Sequence, residues 1–167
     1  MDRLIEDLLN LSKLNQAPLA RVAVDLAGLA RDVVTGLPRL RPERLVTIDI
    51  AEVPPAVGDE SLLRAVMHNL LDNAWKFTSK RPAARIEFGS EQRDGETVYF
   101  VRDNGAGFSM ASATRLFGPF QRLHSPSEFE GHGIGLATVQ RIVTRHGGRI
   151  WAEAEMGRGA TFYFTLP

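Results

Sequence analysis

Two strand–turn–strand units limit the topologies open to this chain. Residues 84–90 and 97–103 lie either side of Asp94-Gly95, and 149–155 and 160–166 flank Gly157–Gly159. An Asp-Gly pair between two strand-like runs signals a tight turn joining antiparallel partners. Strands joined this way do not fit a doubly wound sheet, where a helical crossover separates each strand from the next. Short strands are also expected at Leu19–Val22 and Leu45–Ile50, giving six in all. Helices are expected at Leu26–Gly36 behind the capping residue Asp25, at Glu60–Thr78, and at Ile134–His146, where Gly147-Gly148 stops the chain. Three helices and hairpin-paired strands predict an α+β fold, a two-layer α/β sandwich.

Two segments stand apart. Residues 1–14 place Leu4, Ile5, Leu8 and Leu11 on one stripe between charged neighbours. So short a helix is marginal alone and is expected to dock on another segment or another copy. From Asn104 to Gly133 no period is sustained. A loop of about 30 residues in a compact domain predicts a lid or binding loop.

Composition closes several function classes. The 20 basic and 20 acidic residues cancel, so the basic excess of a nucleic-acid or anionic-membrane binder is missing. With no cysteine in the chain, disulfides, thiol nucleophiles and thiolate metal sites are excluded. No apolar run approaches the roughly 18 residues of a membrane span, and the N-terminus lacks a signal-peptide pattern. The expectation is a cytoplasmic domain without direct membrane contact.

The chemistry-bearing residues fall in three places. On the long helix, Leu63, Met67, Leu70, Ala74 and Phe77 form an apolar face, and Asn69, Asn73 and Lys76 form a second face beside it. Amide oxygens are hard ligands that suit Mg²⁺, and an ammonium group suits phosphate; a solvated helix face is the bland alternative. Asp103-Asn104-Gly105-Ala106-Gly107-Phe108 directly follows a strand. There a carboxylate can accept from an amino group while glycines allow close approach; alone, it reads equally as a structural turn. Gly131-His132-Gly133-Ile134-Gly135-Leu136 opens a helix, whose first N–H groups form a ready phosphate site. The spacing is neither the dinucleotide fingerprint nor a P-loop.

In this order the segments resemble the catalytic, ATP-binding domain of bacterial sensor histidine kinases, in the superfamily that includes gyrase, the Hsp90 chaperones and the MutL repair proteins. The N box is Asn69–Phe77 and the first glycine box Asp103–Phe108. The F box is Leu116-Phe117-Gly118-Pro119-Phe120-Gln121-Arg122, the second glycine box spans Gly131 to Leu136, and Gly157–Phe162 is a last glycine element. The wording of Trp75–Lys80 and Phe120–Leu136 is most similar to the phytochrome-like, PAS-linked branch.

The resemblance implies the Bergerat ATP-binding fold, a mixed, mostly antiparallel sheet backed by three helices with a long ATP lid. It implies Asn73 as the principal Mg²⁺ ligand with Asn69 beside it, and Lys76 on phosphate. Asp103 would bind the adenine amino group, supported by Gly105 and Gly107. Arg122 would reach the γ-phosphate, with Lys76 and Arg122 as the catalytic pair. Gly131, Gly133, Ile134, Gly135 and Leu136 would line the phosphates, and Phe120 and Thr161 would complete the nucleotide site. His132 departs from the small hydroxyl residue usual in the family and either touches phosphate or faces solvent. Phe117 and Phe120 suit lid anchors or packing beneath the lid. Hydrolytic members carry a glutamate base where Asn69 stands, and an amide cannot take that proton. The chain therefore reads as a kinase half.

The acceptor histidine of such kinases lies on a dimerisation helix upstream, whereas His68, His124, His132 and His146 all follow residue 59. Residues 1–14 are thus expected to be the remnant of a second dimerisation helix and 15–167 the catalytic domain. Expected partners are a histidine-bearing dimerisation domain and a response regulator receiver domain, with no nucleic acid. The chain alone is expected to be a monomer or weak homodimer that does not phosphorylate itself. Two rival readings are a non-catalytic nucleotide-sensing module and a protein-serine kinase of the anti-sigma type.

Overall fold

The computed structural model describes residues 5, 6, 8, 9, 12, 18–37, 44–118 and 135–167. In chain order they form β1 (Val22–Val24), α1 (Leu26–Gly36), β2 (Val46–Ile50), β3 (Ala56–Gly58), α2 (Glu60–Phe77), β4 (Ala84–Arg93) and β5 (Glu96–Asp103). A 3₁₀ helix (Met110–Arg115), α3 (Gly135–Arg145), β6 (Ile150–Glu155) and β7 (Gly159–Phe164) follow. Five strands make one sheet in the order β2-β4-β5-β7-β6, and β1 pairs with β3 in a two-stranded sheet. In the large sheet β2 and β4 run parallel, and the other neighbours are antiparallel. The α+β two-layer sandwich with three helices is the fold that the two hairpins predicted.

Local chemistry accounts for the helix ends. Asp25 accepts from Gly28 N at 3.1 Å, and Asp59 accepts from Leu62 N at 3.2 Å, so each satisfies one orphan N–H of a first turn. At the other end of α2, Arg44 lies over the Trp75 ring and donates to Trp75 O at 2.6 Å and Thr78 Oγ1 at 2.8 Å. A cation on the last carbonyls is what a helix C-terminus favours. In the first hairpin Asp94 and Gly95 both have positive φ (51° and 78°), as a type I′ turn requires.

The core lies between one face of the sheet and the helices, with α2 packed between α1 and α3. Its central place widens the buried face of α2 beyond the expected stripe: Val66, Leu71 and Trp75 are buried too, while Phe77 is only half-buried. The opposite sheet face carries a row across three strands. Phe100, Tyr163 and Trp151 stand in register, with ring centroids 6.3 and 5.4 Å apart. The guanidinium groups of Arg102, Arg93 and Arg149 lie over these three rings in turn. Planar cations cover apolar rings while keeping contact with water, so this face needs no further layer.

Three details differ from expectation. The first strand is Val22–Val24, not Leu19–Val22, and β3 is additional. Enclosed by Pro54-Pro55 and Gly58-Asp59, β3 is too short to show a period, and its pairing with β1 is a tertiary event. The supposed loop after Asn104 also begins as packed structure. Ser109 caps the 3₁₀ helix, Phe108 and Leu116 are buried, and Phe117 meets Phe162 edge-on at 6.5 Å. Phe117 therefore packs beneath the chain. The remainder of the expected lid, residues 119–134, lies outside the described residues, as does most of 1–14; of the latter, Ile5, Glu6, Leu8, Leu9 and Ser12 are helical and exposed.

His146 joins two helices. Its ring is 2% exposed; Nε2 accepts from Asp59 N at 3.0 Å and Nδ1 meets Ile142 O at 2.7 Å. Because the amide can only donate, Nε2 is the bare nitrogen and Nδ1 carries the proton. The side chain thus ties the last turn of α3 to the N-cap of α2. His146→Ala should remove both bonds and open a cavity, costing about 3 kcal/mol by urea unfolding. A loss below about 1 kcal/mol would count against the tie.

Candidate functional site

The polar face of α2 runs along the edge of the core. Asn69 donates through Nδ2 to Ala65 O at 2.8 Å, and among the described residues no donor reaches its Oδ1. A Cβ added to Gly135 would stand 2.9 Å from that oxygen, so the start of α3 lies against Asn69. The side chain of Asn73, half-buried one turn on, makes no hydrogen bond among the described residues. Lys76 Nζ sits 2.9 Å from Asp72 Oδ2, both side chains largely covered (26% and 13% exposed). The ammonium is therefore held by a buried carboxylate, a partner that sequence reasoning passed over. The signal was there in the Asp-to-Lys spacing of four.

Asp103 closes β5 and is 6% exposed. Burial pushes its carboxyl up to about 6, against the backbone N–H groups of Gly105 and Ala160 that favour the charged form. The Gly105 amide reaches Oδ1 at 2.8 Å. Gly105 and Gly107 are there first for the chain's own packing. A Cβ at Gly105 would meet Phe77 O at 2.2 Å, and one at Gly107, where φ is +64°, would meet Glu155 O at 2.1 Å. Ala106 N bonds to Phe77 O (3.0 Å) and Gly157 N to Ala106 O (2.7 Å), so the loop is laid on the end of α2 and the β6–β7 turn.

These contacts place a buried carboxylate at the C-terminal end of α2 and the start of α3 beside Asn69. Eight residues of helix separate the two places, about 12 Å. Asn73 and Lys76 lie between. The arrangement offers an amino-group acceptor at one end and oxygen ligands with a cation along the way. Among the described residues no three His, Cys, Asp or Glu side chains cluster as metal ligands. The oxygens of Asn69 and Asn73 suit a cation that takes its remaining ligands from water and phosphate, as Mg²⁺ does.

Not every expected residue arrives here. Thr161 is a correction: Ala160, not Thr161, stands opposite Asp103. With the two-residue period of a strand, Thr161 faces the outer sheet surface, where Oγ1 accepts from Arg102 Nε at 3.2 Å. An open hollow of about 370 Å³, lined by Asp49, Glu87, Phe100 and Arg102 among others, lies on that outer side as well. Ala160 was missed; counting the strand period from Asp103 would have found it. Leu136 packs its side chain against the core, leaving only its backbone for a ligand. Phe120, Arg122, Gly131, His132, Gly133 and Ile134 lie outside the described residues.

Residues 58–167 match the family model described as histidine kinase-, DNA gyrase B-, and HSP90-like ATPase. The chain is 36% identical over 167 residues to cyanobacterial phytochrome A of Nostoc sp. (strain PCC 7120), covering all of this chain and 22% of that protein. It is 37% identical over 168 residues to the methanogenesis regulatory histidine kinase FilI of Methanothrix harundinacea, again over the whole chain and 19% of that protein. The chain thus spans about a fifth of the length of these curated relatives. Among solved structures, full-length ShkA in complex with AMPPNP superposes with a TM-score of 0.80 at 30% identity, over 99% of this chain and 35% of that one. The catalytic domain of the histidine kinase ThkA shares the fold, with a TM-score of 0.69 at 22% identity over 88% and 95% of the two chains. No described helix is long and apolar enough to cross a membrane.

Proposed function

Because this chain belongs to the family of histidine kinase-, DNA gyrase B- and HSP90-like ATPases, we propose that it is the ATP-binding catalytic domain of a sensor histidine kinase. It holds Mg–ATP and donates the γ-phosphoryl group to a histidine on a dimerisation domain. The phosphoryl group then passes to a response regulator receiver domain, in the cytoplasm. Residues 15–167 are the catalytic domain and 1–14 the end of a dimerisation helix.

One observation carries the reading: the buried Asp103 carboxylate stands across a short length of α2 from Asn69, with Asn73 and Lys76 between. Asp103 accepts from the adenine amino group, and its burial strengthens that bond by excluding water. Asn73 and Asn69 would hold the metal ion through their amide oxygens. When bound, Mg²⁺ neutralises phosphate charge and orients the chain of phosphates. Lys76 leaves Asp72 for the phosphates or shares itself between the two, and Arg122 comes to the γ-phosphate from the lid. The imidazole nitrogen of the acceptor then forms the new bond to phosphorus in line with the departing oxygen of ADP. Positioning and charge neutralisation supply most of such a reaction. The Asn69 amide donates to the helix backbone and offers water no base, which favours transfer over hydrolysis.

Calorimetric titration of ATP with and without Mg²⁺ tests this. Binding should strengthen with the metal, and Asn73→Ala should weaken the metal-dependent part by about tenfold or more. An intact chain that binds no ATP would sink the reading.

A further inference from the structure

Arg81 follows α2 by one turn and belongs to none of the recognised boxes. Its Nη2 donates to Gly105 O at 3.1 Å and also to Gly157 O. The first carbonyl belongs to the loop that follows Asp103; the second belongs to the turn between β6 and β7. Arg81 N in turn donates to Thr78 O at 2.9 Å, fixing the side chain's origin to the end of α2. One guanidinium therefore links three segments that are distant in sequence.

The geometry points to Arg81 as a positioning residue that sets base selectivity through Asp103. Gly105 is gripped at both ends: its carbonyl by Arg81, and its N–H, in the preceding peptide unit, by Asp103 Oδ1 at 2.8 Å. Ala106 beyond it is held at its N–H and carbonyl by neutral backbone partners, Phe77 O and Gly157 N. Arg81 and the Asp103 carboxylate thus supply the charged hydrogen bonds in this set, and such bonds are about twice as strong as neutral ones. Without Arg81 the Gly105 carbonyl loses its charged partner, and among the described residues that peptide unit is held by the Ala106 N–H on Phe77 O alone. The Gly105 N–H then sits less squarely on Oδ1, and the carboxylate is less firmly held by one of the two N–H groups, Gly105 and Ala160, that orient it.

Orientation matters because Asp103 distinguishes bases by donor and acceptor alone. Adenine presents an amino group to the carboxylate, whereas guanine presents a carbonyl oxygen at the same ring position, acceptor against acceptor. A site built around one fixed buried polar group rejects the mismatched analogue strongly. A carboxylate that turns aside no longer punishes guanine to the same degree, and it binds adenine less well.

The inference rests on the adenine-nucleotide reading above, and its test separates the two. Affinities of ATP and GTP would be measured by calorimetry for the 167-residue chain, for Arg81→Ala and for Arg81→Lys. Arg149→Ala, on the outer sheet face with Glu96 as its partner, serves as the control. In Arg81→Ala the ATP affinity should fall about tenfold, the factor carried by one hydrogen bond to a charged group, with GTP changed much less. Arg81→Lys should restore part of the preference, and Arg149→Ala should keep all of it. Equal loss of ATP and GTP binding, or no change in their ratio, would overturn the role while leaving the ATP site standing. A parent chain that binds neither nucleotide would take both readings down. If Arg81→Ala does not fold, Arg81→Lys decides, since an undiminished ratio there, with amide exchange at Gly105 and Ala106 unchanged, also refutes the inference.

Discussion

Asp103→Asn is expected to make the nucleotide-free domain more stable and nearly unable to select ATP. In the folded chain the carboxyl titrates at about 6, against 3.8 for an ordinary aspartate. A raised carboxyl binds its proton more readily folded than unfolded, so the folded state is penalised as pH climbs between those two values. Above about 6 the penalty is complete and constant. A tenfold change in proton affinity is worth about 1.4 kcal/mol, which makes the penalty about 3 kcal/mol here. Asparagine removes that penalty but leaves one of the two facing N–H groups, from Gly105 or Ala160, without an acceptor, which costs about 1 kcal/mol. The net expectation is a gain of about 2 kcal/mol at a pH of about 7.5 that turns into a loss of about 1 kcal/mol below a pH of about 4. Urea titrations of both proteins across that range read the difference directly. At the same time the neutral amide lowers ATP affinity by a factor of about 100. In the parent, the part of the affinity owed to Asp103 should decline as pH falls below about 6, a decline that the variant lacks. A variant no more stable than its parent in mildly alkaline solution would mean that the carboxylate is not strained by burial.

Gly107→Ala is expected to be among the most damaging single substitutions in the chain. Its φ of +64° costs an alanine about 1 kcal/mol or more. The added Cβ would also stand 2.1 Å from Glu155 O and 2.8 Å from Gly159 O, both backbone atoms at the paired ends of β6 and β7. Neither can withdraw without breaking the ladder. A combined loss of about 4 kcal/mol is a large share of the roughly 5–15 kcal/mol that holds a domain together, and the unfolding midpoint should drop by about 10 °C. Gly95→Ala provides the contrast. It has a similar φ of +78° but open space around it, so only the conformational cost of about 1 kcal/mol remains. Equal losses at the two positions would show that the close approach at Gly107 is relieved cheaply.

These two residues also show how far the sequence could be read. Asp103, Gly105 and Gly107 stood out as a motif, and the structure gathers them. That the glycines serve backbone against backbone was not readable, because Phe77 and Glu155 meet them only after folding. Thr161 was placed one residue out of phase. Strand alternation needs a reference point, and the reference is the pairing of Ala160 with Asp103 across β5 and β7. Asp72 was legible from its spacing to Lys76 but was overlooked. Arg81 carried no signal at all: its partners Gly105 and Gly157 lie 24 and 76 residues further along the chain. They reach it only when α2, β5 and β7 have packed.

What the sequence determined by itself was everything governed by short-range chemistry. Periods of two and 3.6, Asp caps at residues 25 and 59, and the Asp94-Gly95 turn settle the three helices and the five strands of the large sheet. The ordered boxes likewise place the chain in its family. Only the tertiary structure decided which residues face one another: β3 finding β1, His146 reaching Asp59, and Arg81 bridging two turns. Those contacts join segments far apart along the chain, where loop closure and burial of the whole core set the outcome and no local preference encodes the partner.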